Sequence, residues 1–144
     1  MILKTILSNK PPGFIAVPPD MRISGVIGIL AEKRIGAVLV VNAGNELAGI
    51  LSERDIVRSL SSHAAATLDM AAAQLMTARP TTATPATTVA EAMEIMTNGH
   101  FRHLPILENG QLTGLVSIGD VVKARIDEHA HEVESMRTYV TGGA

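Results

Sequence analysis

The sequence predicts an α/β fold, of the α+β kind, built from two copies of a strand, helix, strand, strand, helix unit. The first observation behind this prediction is an internal repeat, because residues 23–58 and 89–123 match along a common register. The second observation is that hydrophobic periodicity changes in the same order within each copy. The most informative matched pairs lie 65 residues apart: Gly49 with Gly114, Ser52 with Ser117 and Asp55 with Asp120.

The first copy begins with a short extended segment at residues 14–20, where prolines disfavour helix. Residues 23–33 carry apolar side chains at helical spacing and predict an amphipathic helix. The apolar runs at 37–41 and 47–51 are short and β-rich, so they predict buried strands, and the Asn- and Gly-rich segment between them predicts a hairpin turn. A closing helix is expected from about Asp55.

The second copy repeats this order. An extended segment at 80–86 precedes a predicted helix at 89–98, and a hairpin then joins predicted strands at 104–107 and 112–116. Its closing helix is expected from about Asp120.

Two further segments lie outside the repeat. Residues 61–75 join the copies and are alanine-rich, which predicts a partly helical linker. The tail from Ala124 to Tyr139 is expected to extend the last helix with an apolar stripe suited to packing on a neighbour. The stripe consists of Ile126, Val133, Met136, Tyr139 and Val140.

The amino-acid composition argues against several classes of function. The chain has 144 residues and is 47% hydrophobic, but it holds one Tyr, two Phe and no Trp, which argues against stacking on successive bases. The net charge of -2, with scattered basic residues, lacks the footprint of a nucleic-acid binder. The absence of cysteine excludes disulfides and suits a reducing compartment. Without a signal-peptide pattern or a membrane-length apolar run, a soluble cytoplasmic protein is predicted.

The repeated motif occurs as GILSERD at 49–55 and GLVSIGD at 114–120. The simpler interpretation of its Ser and Asp is a helix capping box, in which both side chains satisfy free backbone N–H groups. The functional interpretation is that the strand end and helix start form one wall of a cleft. There the helix dipole attracts phosphate, and a carboxylate accepts hydrogen bonds from the two hydroxyls of a ribose. The two interpretations are compatible.

This motif, together with the upstream RHLPI strand, resembles the cystathionine-β-synthase-type (CBS) domain from about Gly13 to Lys123. The resemblance implies two CBS repeats related by a pseudo-twofold axis and packed through their sheets, with two clefts between them that commonly hold adenosine nucleotides. We predict repeats at 1–66 and 67–127 and a helical tail at 128–144.

The resemblance also implies the residues of both clefts. One cleft would use Gly13, Phe14, Ile15, Ile35, Gly36, Arg102, His103, Ser117, Gly119 and Asp120. The other would use Gly36, Ala37, Ser52, Arg54, Asp55, Thr81, Thr82, Phe101 and Arg102.

The clefts are not expected to be equivalent. Arg102 and His103 of the second copy replace Gly36 and Ala37 of the first, and Arg54 has glycine as its counterpart. The phosphate would therefore be bound by Arg102, with His103 as a second candidate, in one cleft. In the other it would be bound by Arg54, because a guanidinium matches phosphate geometry. A solvated charge at a helix start remains the alternative for Arg54.

No metal or catalytic cofactor is expected. His100 and His103, like His129 and His131, are spaced so that the side chains of each pair diverge. The sequence also lacks a catalytic triad order and a Walker-type loop, so an enzyme is not predicted.

The leading hypothesis is a regulatory module that binds an adenine nucleotide, with AMP or NAD(H) favoured, ADP or ATP possible and S-adenosylmethionine less favoured. The module would signal occupancy to an unknown regulated protein. The alternative is a ligand-free dimerisation scaffold with degenerate clefts. A homodimer is expected in either case, because the repeats leave helical faces exposed.

Overall fold

The computed structural model describes residues 1–139, so Val140 and the end of the predicted tail at 128–144 lie outside the described residues. The chain contains both helices and strands, and a short 3-10 helix at Ala64–Asp69 follows the helix Glu53–His63. In order the elements are α1 Leu3–Ser8, β1 Ala16–Val17, α2 Ile23–Lys33, β2 Ala37–Val41, β3 Leu47–Ser52, α3 Glu53–His63, α4 Ala72–Leu75, β4 Thr77–Ala78, α5 Val89–Gly99, β5 His103–Glu108, β6 Gln111–Ser117 and α6 Ile118–Arg137.

The first repeat contains a four-stranded sheet in the order β1-β2-β3-β4. Strands β2 and β3 form the predicted antiparallel hairpin, β1 runs parallel to β2, and β4 runs antiparallel to β3. The hairpin turn places Gly44 and Asn45 at positive φ, a conformation that Gly and Asn adopt at little cost. The predicted turn is therefore confirmed.

The second repeat carries the equivalent hairpin of β5 and β6, in which His103 pairs with Ser117 as Ala37 pairs with Ser52. The strand predicted at 80–86 is reduced to one parallel bridge between Ala83 and Ile106. Prolines stand at positions 80 and 85 and lack the N–H that a longer strand would donate, which explains the difference. The closing helices begin two residues earlier than predicted, at Glu53 and Ile118.

Helix α1, which the sequence did not predict, packs in the core of the second repeat rather than the first. Leu3 is fully buried there, in the same hydrophobic cluster as Val89 and Met96. The backbone N–H of Leu3 donates to the carbonyl of Thr87 at 2.8 Å, and the N–H of Val89 donates to the carbonyl of Met1 at 2.9 Å.

The same arrangement occurs in the opposite direction. Ala72 of α4 is fully buried in the core of the first repeat, and its N–H donates to the carbonyl of Met21 at 2.8 Å. The N–H of Ile23 donates to the carbonyl of Met70 at 2.9 Å. The two halves therefore exchange the segments that precede them, and this reciprocity defines an approximate twofold axis. The division of the chain into repeats at 1–66 and 67–127 remains a proposal.

The exchange explains why both copies of the motif contain glycine. A Cβ on Gly49 would lie 2.6 Å from the Met76 Sδ and 2.6 Å from the Thr77 carbonyl oxygen. A Cβ on Gly114 would lie 2.8 Å from a methyl group of Leu7. Each glycine thus leaves room for a side chain of the exchanged segment.

The end of α3 is fixed by a buried polar contact. The hydroxyls of Ser59 and Thr67 lie 2.8 Å apart, and both residues are buried. This hydrogen bond joins α3 to the following 3-10 helix, so part of the predicted linker belongs to the first repeat.

Candidate functional site

Both copies of the motif form the capping box that their spacing predicts. In the first, the Ser52 N–H donates to Asp55 Oδ2 at 2.9 Å and the Asp55 N–H donates to Ser52 Oγ at 3.4 Å. In the second, the corresponding distances between Ser117 and Asp120 are 2.9 Å and 3.1 Å. Each carboxylate is therefore fixed where a strand ends and a helix begins, and helix capping uses one of its two oxygens.

A hollow of about 670 Å³ lies beside the start of α3, and residues of both repeats line it. We call it the Asp55 cleft. It brings together eight residues predicted for the two sites: Gly36, Ser52, Arg54, Asp55, Thr81, Phe101, Arg102 and His103. Its remaining lining residues are Ile50, Glu53, Val57, Arg58, Thr77, Arg79, Pro80, Gly99 and His100.

The Asp55 cleft is rich in cations. Four arginines line it, whereas Glu53 and Asp55 are its only carboxylates among the described residues. None of these arginines forms an ion pair with a carboxylate within residues 1–139, and Arg54 donates to the carbonyl of His100 at 3.4 Å. The wall therefore offers guanidinium groups to an anion next to a carboxylate that accepts hydrogen bonds. The arginines are Arg54, Arg58, Arg79 and Arg102.

A second hollow of about 460 Å³ is also lined by residues of both repeats. We call it the Ser117 cleft. Its wall includes the predicted residues Gly13, Phe14, Ile15, Ile35, Gly36, His103 and Ser117, together with Lys10, Pro11, Pro12, Ala37 and Leu115.

Asp120 does not line the Ser117 cleft, although the sequence predicted that it would. The Lys10 ammonium donates to Asp120 Oδ2 at 2.8 Å and to the Leu115 carbonyl at 2.9 Å, and Lys10 itself lines the cleft. Burial alone would raise the pKa of Asp120, but hydrogen bonds from Lys10 and Ser117 outweigh it, so this pKa lies below its usual value. The carboxylate is therefore already partnered by a cation.

Four further residues differ from their predicted positions. Gly119 and Arg102 do not line the Ser117 cleft, Ala37 lines it instead of the Asp55 cleft, and Thr82 lines neither. Gly119 is the second residue of α6 and is exposed.

His103 and Gly36 line both clefts. The imidazole of His103 lies against Gly36, with its Cε1 atom 3.4 Å from where a Cβ would stand. Burial of the ring lowers the pKa of His103, and nearby Glu53 and Asp120 only partly oppose that shift. Burial therefore favours the neutral ring, which offers shape and a hydrogen-bonding nitrogen to both clefts.

The sequence did not predict Lys10, Arg58 or Arg79 as part of either wall. Lys10 and Arg79 each precede a proline and lie 69 residues apart, the same spacing that relates Leu3 to Ala72. If the repeat is extended upstream of residue 23 with an offset of 69 residues in place of 66, Lys10 pairs with Arg79. Within residues 1–139 no group of three side chains is arranged to hold a metal ion, and none of the described helices is long and apolar enough to cross a membrane.

The fold and its two clefts define a tandem-repeat α/β module with exchanged segments. The family model of the CBS domain matches residues 5–62 and 72–127, so the chain belongs to the CBS domain family and is a tandem regulatory module of that kind. The resemblance found in the sequence is confirmed.

Three proteins illustrate the similarity. The chain is 34% identical over 128 residues to the CBS domain-containing protein CBSX3, mitochondrial, of Arabidopsis thaliana, covering 86% of this chain and 62% of the relative. The crystal structure of the CBS-domain protein ATU1752 from Agrobacterium tumefaciens matches with a TM-score of 0.84 and 41% identity, covering 86% of this chain and 92% of that one. The CBS domain protein PAE2072 from Pyrobaculum aerophilum, complexed with AMP, matches with a TM-score of 0.74 and 28% identity, covering 83% and 89%.

Proposed function

We propose that this chain is a regulatory module that binds an adenine nucleotide in the Asp55 cleft and signals occupancy to a partner protein. One observation carries the proposal: a fixed carboxylate and four arginines without carboxylate partners, within the described residues, line one hollow between the repeats.

The residues of the cleft suit the three parts of such a ligand. The Asp55 carboxylate uses Oδ2 for the helix cap, and its other oxygen accepts no hydrogen bond within residues 1–139, which leaves it for ribose hydroxyls. Ile50, Val57 and Phe101 offer apolar surface to an adenine ring. The arginines offer planar guanidinium groups to phosphate.

AMP and NAD(H) are the favoured ligands, and ADP and ATP are also compatible. The AMP complex of PAE2072, at 28% identity, supports AMP. Four guanidinium groups also accommodate a second phosphate, as in a dinucleotide. S-adenosylmethionine fits less well, because its positively charged sulfonium would face these arginines.

Signalling requires a surface that changes when the packing of the two repeats changes. Helices α3 and α6 expose Leu60, Val122 and Ile126, of which Ile126 is 62% exposed. We propose that these helices form a homodimer interface, and that nucleotide binding at the start of α3 changes the packing of this interface. We also propose that the protein is cytoplasmic and has no catalytic activity. The alternative is a ligand-free scaffold, which is favoured at the Ser117 cleft by the ion pair between Lys10 and Asp120.

A thermal-shift panel with AMP, ADP, ATP, NAD, NADH and S-adenosylmethionine tests the proposal. Ligand at 100 times its Kd should stabilise the wild-type protein by about 2.7 kcal/mol. Asp55→Ala should lose most of this response as well as about 1 kcal/mol of helix-capping stability.

Thr88→Ala is the matched control, because Thr88 caps α5 through the Glu91 N–H at 3.0 Å and lines neither cleft. It should lose similar capping stability and keep the full ligand response. A flat panel for the wild-type protein, or an unchanged response in Asp55→Ala, would reject nucleotide binding in this cleft.

A further inference from the structure

Arg79 has a backbone conformation that arginine seldom adopts. Its φ angle of 51° lies in the left-handed region, which is strained for side chains other than those of Gly, Asn and Asp. The residue also precedes Pro80, and a following proline favours an extended conformation instead. The protein therefore holds Arg79 in this conformation at a cost in stability.

The other described residues with positive φ, glycines aside, each lie in a hairpin turn or directly follow a helix. They are Arg34, Asn45, Ala64, His100 and Asn109. Turn formation and helix capping account for their conformation. Arg79 instead follows the short strand β4 and ends no helix, and it lines the Asp55 cleft.

The strand register places Arg79 away from the capping motif. Ser52, whose N–H holds the Asp55 carboxylate, ends β3, and Ile50 lies two residues, about 7 Å, before it on that strand. Ile50 pairs with Thr77 of β4, and Arg79 lies two residues beyond Thr77. Because β4 runs antiparallel to β3, Arg79 and the Asp55 carboxylate lie at opposite ends of this part of the wall.

The cations of the Asp55 cleft are unevenly distributed. Three of its four arginines lie on α3 or in the second repeat: Arg54, Arg58 and Arg102. The wall at β4 is formed by neutral residues apart from Arg79, and Ile50, Thr77 and Pro80 offer a surface that suits a purine ring. A ribose bound at Asp55 would therefore direct its base towards β4 and its phosphate towards the other three arginines.

The Arg79 side chain is exposed and forms no hydrogen bond or ion pair within residues 1–139. Its planar guanidinium is thus available to a ligand. A guanidinium stacks on the face of an aromatic ring as well as binding phosphate, and a purine presents such a face.

We propose that Arg79 binds the base of the nucleotide, with its guanidinium stacked on the purine ring, and that its strained backbone is retained for this contact. This inference rests on the proposed function, since it assumes that an adenine nucleotide binds in the Asp55 cleft. It assigns Arg79 as a specificity-determining residue that favours ligands with a planar base. It leaves the other three arginines of the cleft to phosphate.

The test is isothermal titration of AMP, adenosine and ribose 5-phosphate into the wild-type protein and Arg79→Asn. Asparagine adopts the left-handed conformation at little cost and lacks the guanidinium. The variant should therefore unfold at a higher urea concentration than the wild-type protein. It should bind AMP and adenosine more weakly by the same factor, about three- to tenfold, the scale of one cation–π contact. Its affinity for ribose 5-phosphate, which has no base, should be unchanged.

Arg34→Asn is the matched control, because Arg34 has a φ angle of 54°, is exposed and lines neither cleft. It should gain similar stability and leave all three affinities unchanged.

The outcomes separate the inference from the proposed function. If Arg79→Asn weakens AMP but not adenosine, the guanidinium binds phosphate and its assignment to the base is refuted. Unchanged affinities, or a loss of stability in Arg79→Asn, also refute the inference while nucleotide binding stands. If the wild-type protein binds no adenine nucleotide, or Asp55→Ala binds AMP as tightly as the wild-type protein, the proposed function itself fails.

Discussion

Replacing Gly49 by alanine should destabilise the protein far more than the same change at its counterpart Gly114. The new methyl group at position 49 would lie 2.6 Å from the backbone carbonyl of Thr77, so β4 has to move. At position 114 the closest atom, at 2.8 Å, is a methyl group at the end of the flexible Leu7 side chain. The two substitutions are chemically identical and differ only in what the exchanged segment places above the strand.

The expected magnitudes follow from these contacts. Overpacking against fixed backbone costs about 1–3 kcal/mol, and loss of a hydrogen bond between β3 and β4 adds about 1 kcal/mol. For Gly114→Ala, a rotation of Leu7 relieves the contact, and the lower backbone entropy of alanine in the unfolded chain offsets part of the remaining cost. The total should therefore be about 2–4 kcal/mol for Gly49→Ala and about 1 kcal/mol or less for Gly114→Ala.

Urea unfolding followed by circular dichroism measures both free energies. With a slope of about 1–3 kcal/mol per molar urea, the two midpoints should differ by about 1 M. Gly49→Ala should also weaken nucleotide binding, because Thr77 and Arg79 line the Asp55 cleft. Equal losses of stability, or a larger loss for Gly114→Ala, would refute the exchanged packing of these segments.

Three further predictions concern stability and ionisation. Leu3→Ala should cost about 2–5 kcal/mol in urea unfolding, since Leu3 is fully buried in the core of the second repeat. Ser59→Ala should cost about 1–3 kcal/mol by leaving the buried hydroxyl of Thr67 unpaired, and adding Thr67→Val should recover part of that loss. Lys10→Met should raise the pKa of Asp120 in a carboxyl NMR titration. The pKa of Asp120 is lowered in the folded protein, so its ionised carboxylate stabilises the fold at pH values above the pKa in the unfolded chain. This stabilisation is lost as the pH falls through the pKa in the folded protein. The loss should be smaller in Lys10→Met.

Local signals predicted the elements of each repeat. The helices at 23–33 and 89–99 were predicted within one residue because their apolar positions recur at helical spacing. The hairpins were predicted because Asn and Gly occupy the turns between short apolar strands. Helix α1 was not predicted, since its six residues are too few for a periodic pattern and its N-cap residue, Ile2, makes no side-chain hydrogen bond.

Only those parts of the candidate site that depend on local sequence spacing were predicted. The capping boxes follow from three-residue spacing, so Ser52 and Asp55 could be placed at the start of a helix from the sequence alone. The contact between Lys10 and Asp120 joins residues 110 positions apart and depends on the exchange of segments, which no local pattern encodes. The change in repeat spacing upstream also concealed that Lys10 and Arg79 are counterparts.

A crystal structure of this protein grown with AMP would show where the nucleotide binds. We expect the nucleotide to lie in the Asp55 cleft, with its ribose hydroxyls donating to the Asp55 carboxylate and its phosphate contacting at least one of the four arginines. AMP bound elsewhere, or bound in this cleft with its ribose out of hydrogen-bonding distance of Asp55, would contradict it.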